Sequence, residues 1–380
     1  MNLNDLNDVI IIGGGAAGSS AAFHLAKLGK KITLLDKKTN NIIEPCGGGI
    51  ASSVQDLFPF DMKGIIDEVI NNVQFTWFLE DKVIADIKNY QPFWIIRRNK
   101  LDDFLKFNAI KEGAEYLNGF EVESIRKVGN SWQVFSSDGR GMKAKAIVIA
   151  DGSCSKWTNH FNLGPKNPSY ASTCSIRLIG SGNLKPGSAH FEFGLIRDGF
   201  AWAFPSQKET FIGMGTFLGK KKILDQSILR EKILPKFGFS SSEGEITFKS
   251  LRVWSCHSKL HFDSILAVGD AASLCDPFLA EGLRPAILSG FFAAQTINNW
   301  LEGNCYDLSK YSNLIKENWG NSMAWGKRIS QIFYRFPKLG YQLGIKRPTA
   351  PKRIAQILSG EMTYEDIAQR VIMRLLLKRN

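Results

Sequence analysis

The chain has 380 residues, 44% of them hydrophobic, and a formal net charge of +12 from 48 Lys and Arg against 36 Asp and Glu. That length and apolar content exclude a disordered chain or a minimal disulfide-stapled domain and suffice for two intertwined units around a large core. The charge suits an anionic partner such as a membrane surface, a phosphorylated substrate or an acidic electron carrier; no nucleic-acid motif accompanies it, and solvated surface charge is the simpler account.

The first element is a strand. Val9-Ile10-Ile11-Ile12 is apolar without alternation, as a strand covered on both faces must be. It runs into Gly13-x-Gly15-x-x-Gly18, and a helix is expected over roughly 16–28. Gly13 permits the tight turn, Gly15 lets backbone approach a pyrophosphate, and Gly18 lets the helix pack on the strand. The helix start, including Ala17, offers free N–H groups and the positive end of its dipole to phosphates. A second strand, residues 31–35, ends at Asp36, placed to bind ribose hydroxyls, with Lys37 beside it.

Glu44-Pro45-Cys46-Gly47-Gly48-Gly49 comes next. Its glycines make a loop of little bulk that can pass a flat ring system, with Cys46 turned toward a cofactor or substrate. A buried thiol beside a flexible turn is the plainer alternative. Arg98 opens a helix expected over 101–113, placed to neutralise a phosphate, with Asp102 as partner. Residues 145–150 read as a buried strand leading to Asp151-Gly152-Ser153, where Asp151 can hold Arg98 or the cofactor indirectly, or simply make a turn.

Period-two patterning marks 73–78, 189–193, 200–204 and 211–215 as strands of an antiparallel sheet. In it Phe200, Trp202 and Phe204 share one face, as core or as the wall of an apolar tunnel. Cys256, His257 and His261 fit no closed metal site and read as structural. Ile265-Leu266-Ala267-Val268 is another buried strand, ending at Gly269-Asp270. Asp270 is a candidate for the ribityl chain or a nearby phosphate, and Gly282 and Leu283 offer N–H groups to a flavin pyrimidine edge. With Gly13–Gly18 at the other end, these strings read as one FAD site. Beyond residue 301 the pattern is helical, broken by Pro348 and Pro351, with a last helix over 364–378. Its Arg370, Arg374, Lys378 and Arg379 lie beside Ile372 and Leu375–Leu377, fitting either an anionic lipid surface or packing on the core.

The expected fold is α/β: a Rossmann-type FAD-binding domain (1–60, 96–160, 255–300) interleaved with an antiparallel β-sheet substrate domain (61–95, 161–254), then a helical region (301–380). The six cysteines form no C-x-x-C pair, which fits reduced thiols and a cytoplasmic location. No run reaches the ~20 apolar residues of a membrane span, and neither secretory leader nor transit segment is expected.

These strings together resemble the geranylgeranyl reductase family, within the aromatic-hydroxylase-like flavoproteins. The resemblance rests on Gly13-x-Gly15-x-x-Gly18, Pro45-Cys46-Gly47-Gly48-Gly49, Arg98-x-x-Leu101-Asp102 and Ala150-Asp151-Gly152. It continues through the stripe from Phe200 to Pro205, Gly269-Asp270-Ala271-Ala272, residues 281–286 and residues 358–364. Phe200 stands where the family usually has Tyr, and Ala280 where Gly is common. The resemblance implies reduction of isolated C=C bonds in a polyprenyl chain by hydride from reduced flavin N5. It implies NADPH or a ferredoxin-type protein as electron donor and contact with a membrane surface that holds the isoprenoid. It implies Cys46 as the acid or proton gate, with Trp202 and Phe204 gripping the chain. An FAD-dependent monooxygenase or halogenase, a lycopene-cyclase-like flavoprotein and a flavin carrier without turnover stand as alternatives.

Overall fold

The computed structural model describes residues 5–39, 46–87, 92–218 and 224–377; at 371–372 and 374–377 only the backbone is described. Glu44 and Pro45 lie outside the described residues, as do the side chains that give the C-terminal stretch its basic and apolar character, apart from Arg370 and Met373.

The apolar strand Leu6–Ile12 sits at the centre of an eight-stranded sheet. Ile265–Ala267, Gly141–Ile149, Leu6–Ile12, Ile32–Leu35 and Glu115–Leu117 lie side by side, all parallel. His261–Phe262 pairs at one edge, and Ser131–Ser136 and Val122–Val128 add antiparallel strands off Gly141–Ile149. Ile10, Ile11, Ile147 and Val148 are wholly buried, so this part of the sheet is covered on both faces, which is why their sequence shows no alternation.

Two helices position the cavity described below, Ala16–Lys27 and Leu283–Leu301. They cross at Gly290, where a Cβ would stand 2.4 Å from the Ala17 carbonyl oxygen. Ser20 Oγ donates to the Ile287 carbonyl at 2.9 Å. A larger side chain at 290 would part the helices and separate their N-termini.

The second sheet has seven strands in the order Ile246–Val253, Ser169–Ile179, Glu209–Thr216, Gly199–Pro205, Ser188–Phe193, Asn72–Trp77 and Glu80–Asp86. It is antiparallel with one exception: Ser188–Phe193 runs parallel to Asn72–Trp77. These two strands come from distant parts of the chain, so no hairpin dictates their relative direction. Every residue of Ser188–Phe193 and Gly199–Pro205 is buried. Period two therefore sorts these strands between two covered faces rather than core and water. Phe191, Phe200, Trp202 and Phe204 face the main core, whereas Ala201, Ala203, Ile212 and Met214 pack with Leu229, Ile233 and Phe237 in a second cluster.

A small third sheet has Phe93–Ile96 in the middle, flanked by Gly49–Ala51 and Ile66–Ile70. The chain crosses between the large sheets several times, giving the interleaved α/β architecture, and finishes in helices from Ser309 to Leu377. Pro348 falls in a turn as expected, but Pro351 does not break a helix. It occupies the first turn of Ala350–Ser359, where the missing N–H costs nothing. Among the described residues no helix is long and apolar enough to cross a membrane.

Candidate active site

One cavity of about 810 Å³ gathers residues from both large sheets and the small one. Its polar end is formed where Leu6–Ile12 meets the first helix. Gly13 adopts φ +113°, and a Cβ there would lie 2.3 Å from the Ala150 carbonyl oxygen. A Cβ at Gly18 would lie 1.9 Å from the Gly13 carbonyl oxygen. The loop is thus pressed onto the parallel sheet, and no side chain caps the first helix, whose initial turn holds no acid. Gly15, Ala16 and Ala17 border the cavity, so the helix presents N–H groups and positive potential to it.

Asp36, at the end of the second strand, is buried and borders the same end, as does Lys37. Arg98 Nη2 would be 3.3 Å from a Cβ on Gly15, which places the guanidinium over the glycine loop. Arg98 Nε donates to Asp102 Oδ1 at 2.8 Å, one helical turn on. Asp151 borders the cavity but is not the anchor of Arg98: the cations acting on it are Arg252 and Lys37. Burial raises its carboxyl above the ordinary value against the Ser155 hydroxyl and those cations, and its Oδ1 has no hydrogen-bond partner.

Asp270 and the start of Leu283–Leu301 close the cavity from another side. Gly282 precedes that helix and lies beside Asp270 Oδ1, 3.6 Å from where its Cβ would be. Gly282 and Leu283 border the cavity together, so a second helix N-terminus points at it.

The apolar end joins Cys46–Gly49 to the aromatic stripe. Each of the three glycines meets a different obstacle. A Cβ at Gly47 would stand 2.9 Å from Trp202 Nε1 and 3.0 Å from Phe204 Cε2. At Gly48, with φ +75°, it would be 2.0 Å from the Ile96 carbonyl oxygen, and at Gly49 2.4 Å from Phe93 Cζ. Cys46 lies at the head of this loop, where its Sγ accepts the Gly48 N–H at 3.4 Å. Phe200, Trp202 and Phe204 all border the cavity, so they are core and wall at once. Trp202 Nε1 is buried without a hydrogen-bond partner.

Sequence reasoning misses Glu281, because a lone acid between Ala280 and Gly282 carries no periodic signal. It borders the cavity, is buried, and bonds Arg284 Nη2 through Oε2 at 2.8 Å. Its Oε1 has no hydrogen-bond partner. Arg284 is itself packed over the Trp319 ring at 5.0 Å. Burial pushes the Glu281 carboxyl up to about 7, against the pull of Arg284 and with Asp276 adding to the rise. Asp276 accepts the Tyr364 hydroxyl at 2.7 Å and the Phe278 and Leu279 N–H groups at 2.6 and 3.0 Å. Ala280, standing where a glycine is common, keeps the left-handed conformation at φ +58°, a strained place for a residue with a Cβ.

Glu281 makes stability depend on pH. Its carboxyl ionises near 4.5 when exposed and near 7 when folded. The protonated form is favoured in the folded state, so its contribution is complete below pH 4.5 and is lost as pH rises through 7, roughly 3 kcal/mol in all. Glu192, buried in the seven-stranded sheet and also raised to about 7, has the same sign. His24 and His190, each lowered by burial to about 4, act in the opposite sense, so the expected signature is the difference: the Tm of Glu281→Gln relative to the wild-type protein should rise as pH goes from about 5 to 8. Thermal melts of the two proteins across that range check it, and parallel profiles would contradict it.

His261 Nδ1 lies 2.8 Å from Ser312 Oγ, and His257 packs its ring edge-on to Trp254. Neither borders the cavity.

The residues fit FAD. Two helix N-termini, a buried acid after the second strand and a long cavity with one polar and one apolar end match a dinucleotide carrying a flat ring. A family model described as FAD dependent oxidoreductase matches residues 8–40. Over 332 residues the chain is 25% identical to a digeranylgeranylglycerophospholipid reductase of Methanocaldococcus jannaschii, covering 83% of each chain. It is 28% identical over 306 residues to a geranylgeranyl diphosphate reductase of Rhodobacter capsulatus, covering 78% of this chain and 76% of that one. A crystal structure of a geranylgeranyl bacteriochlorophyll reductase-like protein from Thermoplasma acidophilum shares the fold, with TM-score 0.76, 21% identity and coverage of 95% of this chain and 93% of that one. The similarity read from the motifs is borne out by these relatives, and the matches support an FAD-dependent oxidoreductase.

Proposed function

We propose that the protein hydrogenates isolated C=C bonds of a geranylgeranyl or longer polyprenyl chain, with NADPH or a ferredoxin-type protein as the source of electrons. The observation that carries this reading is the packing of Trp202 and Phe204 against Gly47 within the cavity that holds the glycine-rich phosphate loop. An apolar chain lying along that wall would pass the head of the Cys46 loop.

When bound, FAD in its reduced form supplies the hydride that one alkene carbon accepts. An unconjugated alkene is a poor acceptor, so the protein must align the bond and deliver a proton to the other carbon. Phe200, Trp202 and Phe204 hold the chain and exclude water. Gly13 and Gly15 with Arg98 would bind the pyrophosphate on a loop that Gly18 keeps seated, and Asp36 a ribose. Asp270, Gly282 and Leu283 would hold the remainder of the cofactor. Cys46 is the candidate proton donor at the apolar end. Glu281, protonated up to about pH 7, is a second acid on the cavity wall.

The test is anaerobic. Flavin-loaded protein is reduced with dithionite and mixed with geranylgeranyl diphosphate. Return of the oxidised-flavin absorbance is expected, and a flavin that stays reduced contradicts the reading. NADPH oxidation that consumes oxygen only with an aromatic substrate would instead indicate a monooxygenase or halogenase.

A further inference from the structure

From residue 318 to residue 360 the chain holds eight Lys and Arg and no Asp or Glu. This stretch includes the helices Asn321–Arg335 and Pro337–Gly344. Their outer side carries Ile332, Phe336, Leu339 and Leu343, which are 68%, 58%, 52% and 48% exposed. Ile332 and Phe336 stand one turn apart, as do Leu339 and Leu343, giving an exposed apolar ridge on each side of the junction between the helices. The two pairs flank a bend at Phe336, whose backbone has φ −128° and ψ 65°; Phe336 N–H bonds the Ile332 carbonyl at 3.1 Å and Gly340 N–H the Phe336 carbonyl at 2.8 Å on its two sides. Four large apolar side chains in sequence are more than scattered surface hydrophobes require.

Arg328, Arg335 and Lys338 are exposed along these helices, and Arg347 in the turn that follows them. Lys346 is tied to Asp81 at 2.8 Å, the acid that faces this region from the neighbouring sheet. An apolar ridge flanked by cations and by no acid of its own stretch is the composition of a helix lying in an anionic lipid surface. We propose that this ridge docks the protein on an anionic bilayer. The occupant is a lipid surface rather than a second copy of this chain, since two such basic faces would repel.

The inner side of the same helices explains the use of such docking. Phe333 meets Phe193 edge-on at 5.2 Å, and Phe193 lies 5.6 Å from Phe200 on the cavity wall. Tyr341 donates its hydroxyl to the Asp81 carbonyl at 2.6 Å, anchoring the second helix. The ridge is thus separated from the apolar end of the cavity by two layers of aromatic rings. Membrane docking itself does not depend on the reductase reading, whereas passage of a polyprenyl chain from bilayer to cavity rests on it.

The test is cosedimentation of the flavin-loaded protein with phosphatidylcholine vesicles, with and without phosphatidylglycerol. The wild-type protein is expected to bind the anionic vesicles and not the neutral ones. Phe336→Ser with Leu339→Ser and Leu343→Ser, and separately Arg335→Glu with Lys338→Glu, are each expected to weaken binding at least tenfold. Both variants should keep wild-type flavin content and melting temperature, since the changed side chains are exposed. Lys111→Glu with Arg126→Glu, a charge change of the same size elsewhere, is expected to bind nearly as wild type. Absence of wild-type binding, an equal loss in this control, or unchanged binding by both ridge variants would overturn the proposal. So would vesicle-independent dimers in sedimentation velocity that the apolar triple variant abolishes. None of these readouts requires turnover, so failure of docking and failure of the reductase reading are told apart.

Discussion

Gly18→Val is expected to yield protein that retains little or no flavin. The Cβ of residue 18 would stand 1.9 Å from the Gly13 carbonyl oxygen and 3.2 Å from the Ala150 Cβ. The first contact is with backbone, which cannot rotate away, so the glycine loop must lift from the end of the parallel sheet. Lifting it withdraws the N–H groups of residues 15–17 from the phosphate position. A loss of about 100-fold in FAD affinity, near 3 kcal/mol, is expected. Gly29→Ala is the control: Gly29 also has positive φ, at +73°, but a Cβ there meets nothing within 4 Å. That variant is expected to lose only about 1 kcal/mol of stability and to keep its flavin. Fluorescence titration of apoprotein with FAD reads both. Wild-type affinity in Gly18→Val would remove the loop from the cofactor site.

Cys46→Ala is expected to keep its flavin and lose most double-bond reduction, about 100-fold in kcat if the thiol donates the proton. The substitution leaves a Cβ in place and asks nothing of Gly47–Gly49, so the loop stays threaded between Trp202, Ile96 and Phe93. Only the Sγ contact with the Gly48 N–H is lost. The cavity has a second acid, and this makes the result informative either way. Full activity in Cys46→Ala with loss in Glu281→Gln would transfer the proton to Glu281. Full activity in both would leave neither residue as the donor. Single-turnover reoxidation of the reduced protein, measured across pH, separates these outcomes from a loss of substrate binding.

The nucleotide end is legible in the sequence because its constraints are local. A strand, three glycines, a helix and an acid occupy 28 consecutive residues, Val9 to Asp36, and each answers to backbone geometry that composition reveals. The Arg98–Asp102 pair is legible for the same reason, since four residues along a helix is a contact distance. Long-range arrangements are less so. The parallel pairing of Ser188–Phe193 with Asn72–Trp77 joins strands over a hundred residues apart, and period two says nothing of direction. The sequence offers Arg98 as a partner for Asp151, but the cations that neighbour this acid, Lys37 and Arg252, come from distant segments. Glu281 gains its raised carboxyl from burial between a cavity and Arg284, which no string of letters shows. For membrane contact the sequence points to the C-terminus, where hydrophobic and basic residues sit side by side. The exposed ridge from Ile332 to Leu343 reads in sequence like any part of a helical region, and only the structure shows that these apolar side chains face outward while Phe333 and Tyr341 face the core.

The most direct measurement is the mass of the product. Flavin-loaded protein, reduced anaerobically and supplied with geranylgeranyl diphosphate, is predicted to return a prenyl diphosphate heavier by two hydrogens for each bond reduced. An unchanged substrate mass, with flavin bound and demonstrably reduced, would contradict the account.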